Sequence, residues 1–132
     1  MFTIRNLGAL ALLLMGSTWL WLTPGFASRG VSTSGVLWAV TQVLCLLTVA
    51  AFCVATWGLL ARHTWWEAAA LGSAAVGVLA LLAFSVAAAR GGETAGTVAW
   101  NVFVHVLMLA GMSVLLLVPP LDHWVDNHVM RR

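Results

Sequence analysis

Arg29-Gly30-Val31-Ser32-Thr33-Ser34-Gly35 returns sixty-one residues later as Arg90-Gly91-Gly92-Glu93-Thr94-Ala95-Gly96, with Arg, Gly, Thr and Gly in register. The same offset pairs Gly16 with Gly77, Leu20 with Leu81, Ala27 with Ala88 and Leu46 with Leu107. Coincidences among Ala, Leu and Val are common in an apolar chain, so the loop identities carry the inference. Residues 9–60 and 70–121 read as two copies of one hairpin: a long apolar segment, a short Arg-Gly-Thr-Gly loop, and a second apolar segment.

Hydrophobic residues make up 62% of the 132, and charged residues only 8%, a balance that belongs to a membrane protein. The length leaves room for four or five spanning helices and no soluble domain. The net charge of +2 comes from Arg alone on the basic side. Those Arg stand singly at segment ends, apart from the final pair, where they anchor to headgroups; nothing forms the basic stripe that nucleic acid would need. Cys45 and Cys53 fall on one helix about 12 Å apart along its axis, too far to bridge.

Four spans follow, at about residues 7–26, 35–60, 66–89 and 97–118, with 119–132 as an interfacial tail. A signal peptide is the competing reading of the first run, but its length, its Trp19 and Trp21 and its counterpart in the second half speak for a retained helix. Pro24 is expected to close that helix, and Ser32, Thr33 or Ser34 to cap the next. Ala69, Ser73 and Gly77, spaced by four, give the third helix a face for close packing. The expected fold is all-α: a polytopic four-transmembrane-helix bundle of two tandem hairpins in a parallel 2+2 repeat. Arg5, Arg62, Arg131 and Arg132 on one side, against Arg29 and Arg90 on the other, put both termini in the cytoplasm of a multi-pass plasma (inner) membrane protein. The tryptophans divide into two interfacial belts, with Trp19, Trp21, Trp38 and Trp100 in the outer one.

Three constellations could carry chemistry. Asn101, His105, Met108 and Met112 share a helix face; an imidazole and two thioethers suit Cu(I) or haem, with Cys45 as a further ligand, but equally make an intramembrane polar stripe of Asn101 and His105 with Met as packing. In the tail, Asp122, His123, Asp126 and His128, with His63 on the same side, offer acids and imidazoles without the spacing of a zinc motif. Arg29 and Arg90, with Thr33 and Thr94, come before helix N-termini on one face, where they could hold an anion such as a lipid head group. None of the four spans is expected to carry an Asp, Glu, Lys or Arg inside it, which argues against an ion-coupled transporter. No nucleophile elbow or nucleotide-binding Gly loop is present.

The sequence thus points to a small non-catalytic integral membrane subunit, without a cofactor, that packs against other membrane helices and lipids in a homo- or hetero-oligomer. Two alternatives stand beside it. One is a binder of an amphiphile with an anionic head, held by Arg29 and Arg90 and a cleft between the hairpins; the other is a metal- or haem-binding redox subunit.

Overall fold

The computed structural model describes residues 3–28, 30 and 33–130. They form α1 (Ile4–Ser28), α2 (Val36–Leu60), α3 (Trp66–Arg90), α4 (Ala95–Leu117) and the short α5 (Pro119–Val129). The first four are long and apolar enough to cross a membrane, which makes this a multi-pass membrane protein by length and composition. Twenty-five helical residues reach about 37 Å, enough to carry the helix ends into the headgroup layer.

α2 lies between α1 and α3 and packs closely on both; α4 rests more thinly on α3, and α5 folds back across α4 and α1. The α2 contact is a seam at spacings of three and four: Trp38, Thr41, Cys45, Thr48, Phe52, Ala55 and Leu59, all buried. That spacing is the seam of left-handed helix packing. The seam holds small and hydroxyl-bearing residues, while Val40, Val43, Leu46, Leu47 and Val54 face outward. Lipid is as apolar as Leu, so burial selects close backbone approach rather than hydrophobicity. Four buried hydroxyls are met within their own helices: Thr41, Thr48, Thr56 and Ser73 donate to the carbonyls of Leu37, Leu44, Phe52 and Ala69 at 2.7–2.9 Å.

Trp19 of α1 sits where four helices meet. Fully buried, it stacks on Phe52 of α2 at 5.8 Å, meets the His105 ring of α4 edge-on at 4.7 Å, and donates from Nε1 to the Gly77 carbonyl of α3 at 3.4 Å. Two glycines make the room. A Cβ at Gly77 would stand 3.0 Å from the Trp19 ring, and one at Gly16 would stand 2.5 Å from Cβ of Phe52.

Two turns end in the same hydrogen-bonded cap. After α3, Gly92 turns left-handed (φ 98°), and the amides of Gly92 and Glu93 donate back to the carbonyls of Ala89 and Ala88. After α2, the amides of Arg62 and His63 do the same to Leu59 and Gly58, but the left-handed position (φ 62°) is filled by Arg62. The Gly30 and Gly91 that align in sequence differ in conformation: Gly30 is left-handed (φ 88°), whereas Gly91 is right-handed and passes that role to Gly92.

Several expectations are corrected. α1 runs through Pro24 to Ser28. Pro24 falls late in the helix, where few backbone bonds remain for it to break. The N-cap of α2 is Gly35, without a side-chain cap; Ser32 and Arg29 lie outside the described residues. Trp19 and Trp38 are core residues instead of belt residues, as is Trp66, whereas Trp21, Trp57, Trp100 and Trp124 are exposed. Glu67 falls in the first turn of α3, so that span does carry an acid at its end.

Gly16→Val is expected to lower thermal stability in detergent by about 1–3 kcal/mol, the usual cost of overpacking, because Phe52 cannot yield. Gly72→Ala, whose Cβ meets nothing within 4 Å, should leave stability unchanged or slightly raised. Equal melting temperatures for wild type and Gly16→Val would refute this α1–α2 contact. Arg62→Gly should stabilise by about 1 kcal/mol in the same assay, since glycine removes the strain of the left-handed position.

Candidate functional site

α1 and α4 touch at Trp19 and His105 and part below that level, leaving an apolar cleft of about 790 Å³. One wall is the face of α1 from Ile4 to Thr18, and the other the face of α4 from Leu107 to Leu116. Leu59 and Trp66 contribute from α2 and α3, and Trp124, Val125 and Val129 of α5 form the floor. α5 can do this because Val118 breaks the α4 helix with extended backbone (ψ 116°) and Pro119-Pro120 restart it at the first helical positions. Gly111, with nothing within 4 Å of a Cβ built on it, keeps the α4 wall open.

His105 packs on Trp19 just beyond the end of the cleft, whose lining reaches Thr18 of α1 and Leu107 of α4. Its Nδ1 donates to the carbonyl of Asn101 at 2.6 Å, so in the neutral imidazole Nε2 is a bare acceptor, buried and, among the described residues, without a partner. Asn101 likewise donates to its own helix, at the Thr97 carbonyl. The expected polar stripe therefore turns back on α4 and does not bond across the bundle. Met108 and Met112 line the cleft with Met15, below His105. Cys45 is buried in the α2 seam and Cys53 is exposed, both free.

At the α5 end, Glu67, Asp122 and Asp126 bring one carboxylate oxygen each within 4.8 Å of one another. Two of the histidines expected beside these acids turn to tryptophan rings. His63 stacks on Trp65 at 5.2 Å and lies 5.0 Å from Trp57, and His128 stacks on Trp124 at 4.4 Å. Sequence reading found Asp122 and Asp126 but missed Glu67, because only the fold-back of α5 brings the start of α3 to them. Arg5, in the first turn of α1, has Nε and Nη1 buried and, among the described residues, without a partner, as is Oδ1 of Asp122.

The opposite end holds Arg90. It lines a smaller cavity of about 310 Å³ together with Ser34, Gly35, Leu37 and Trp38, so the two Arg-Gly loops border one space. Thr33 is exposed just before α2. Thr94 is the N-cap of α4, its hydroxyl 2.8 Å from that of Thr97 and its amide donating to Glu93. Arg90 and the large cleft thus occupy opposite ends of the bundle and cannot hold the head and the tail of one short ligand. Arg29 lies outside the described residues.

No protein-family model, no characterised protein and no solved structure matches this chain. The reading of the site rests on its geometry.

Trp19→Ala should cost about 3–5 kcal/mol in detergent unfolding, as expected for emptying a fully buried indole. His105→Phe should stay within about 1 kcal/mol of wild type, because it keeps the ring contact and removes an unsatisfied acceptor. A loss with His105→Phe as large as with Trp19→Ala would mean that Nε2 is bonded to something this geometry does not contain.

Proposed function

We propose that this chain is a small, non-catalytic multi-pass membrane protein that binds the apolar part of an amphiphile in the α1–α4 cleft. The observation that carries this reading is the shape of the cleft. A partner helix about 10 Å across needs a groove running the length of the bundle. This cleft stops halfway, at Thr18 and Leu107, next to the contact of Trp19 with His105, and is floored by α5. Its volume of about 790 Å³ is typical of small-molecule sites and its walls are almost wholly apolar. A hydrocarbon chain entering from the bilayer between α1 and α4 fits both limits, with its polar end left at the α5 end, near the headgroup layer.

Membership of a homo- or hetero-oligomer is a compatible second reading. It is supported by the thin packing of α4, where only Val98, His105, Leu109, Met112 and Leu116 are buried. The tandem repeat and the cytoplasmic placement of both termini belong to the same proposal. Support for the repeat comes from the two loops bordering one cavity, and for the orientation from the bias in Arg; reporter fusions at the C terminus test the latter.

Native mass spectrometry after gentle extraction tests the cleft. The wild type should carry one retained amphiphile per chain, and Gly111→Phe, which projects a ring into the cleft without a backbone clash, should lose it at unchanged melting temperature. Equal retention by the filled variant would overturn the proposal.

A further inference from the structure

We infer that the α1–α4 cleft measures the chain it holds: it takes an alkyl chain of about sixteen carbons from the leaflet on the α5 side, with the terminal methyl at Thr18, and disfavours longer chains and polar chain ends. This rests on the reading of the cleft as an amphiphile site and specifies the amphiphile.

The cleft is open to the bilayer along one side but closed at both ends. Trp124, Val125 and Val129 of α5 close one end, and Trp19 packed on His105 closes the other, just beyond Thr18 and Leu107. A chain lying in it therefore has a fixed length to fill. The α1 wall runs from Ile4 to Thr18, a rise of about 21 Å along the helix axis. An extended alkyl chain advances about 1.25 Å per carbon, from its bond length and staggered torsions, so about sixteen carbons span that wall. The rise also equals half the thickness of a bilayer with its headgroups, about 20–22 Å. A lipid on the α5 side thus keeps its head in its own headgroup layer and reaches the closed end at the midplane, whereas a molecule that spans both leaflets does not fit.

The chemistry of the closed end decides which end of the ligand lies there. Met15, Leu107 and Met108 bring apolar side chains to it. The Thr18 hydroxyl donates to the Met15 carbonyl at 2.7 Å, and the Trp19 Nε1–H beyond it donates to the Gly77 carbonyl. Nε2 of the neutral His105 ring is an acceptor and has no proton to give. Among the described residues no donor is left at this end for an oxygen-bearing chain end, which would lose the bonds that water had given it. A methyl group loses nothing there.

Native mass spectrometry from uncharged octyl-glucoside micelles tests this with lysophosphatidylcholines of twelve to twenty acyl carbons, in steps of two, supplied together at equal concentration. Retention by Gly111→Phe, the filled variant, measures adventitious binding and is subtracted. What remains should peak at sixteen carbons and fall at least threefold at twelve and at twenty. A sixteen-carbon chain with a ketone beside its terminal methyl should be retained at least fivefold less than its parent. Retention above that of Gly111→Phe but flat across the series or still rising at twenty carbons, or equal for the ketone, overturns the inference and leaves the cleft reading standing. Retention no greater than in Gly111→Phe for every chain overturns both.

Discussion

Everything in the arrangement of these helices depends on how Trp19 is seated. Its indole is the largest fully buried side chain, and it touches α2 through Phe52, α3 through the carbonyl of Gly77 and α4 through His105. In a bilayer the association of helices cannot draw on the hydrophobic effect, and close van der Waals contact has to serve instead. The glycine at 16 lets α1 close on Phe52 of α2, and the glycine at 77 leaves room on α3 for the Trp19 ring, so that one ring can reach three neighbours. Because α4 meets α1 mainly at this point, the same contact that joins them leaves them apart below it.

The cleft is thus a consequence of packing a large ring at mid-height between helices of similar length. Above Trp19 the bundle narrows through Leu22, Phe26 and Phe84, with Phe26 and Phe84 edge to face at 4.8 Å. Below it, Leu7, Ala11 and Met15 of α1 face Met108, Gly111 and Leu115 of α4 across open space. Met side chains adapt to irregular apolar surfaces, and three of them line this volume, in keeping with the proposed hydrocarbon occupant.

The four long apolar helices, with bounds within a few residues, were legible in the sequence, because hydropathy and loop residues determine them. Which face of each helix turns inward was only partly legible. In a chain where nearly every residue is apolar, periodicity has no contrast, and the readable signal is size. Thr41, Cys45, Thr48 and Ala55 on α2 and Ala70, Ser73, Ala74 and Gly77 on α3 are small, and they are buried. Tryptophan misleads for the same reason, since an interfacial ring and a core ring look alike in sequence. Glu67 was hidden by its distance of more than fifty residues from Asp122 and Asp126, and the cleft by the fact that it is defined by what does not touch. Arg90 was identifiable from the repeated loop, but the cavity it borders was not, because residues 34–38 and 87–91 are brought together only by the packing of α2 on α3.

A crystal structure grown from a lipid phase tests the central claim most directly. The account predicts Trp19 enclosed between Gly77, Phe52 and His105, with an elongated density between α1 and α4 that begins at the α5 end and stops at the level of Thr18, short of the Trp19 ring. Helices α1 and α4 closed against each other along their full length, with Trp19 turned to lipid, would contradict it.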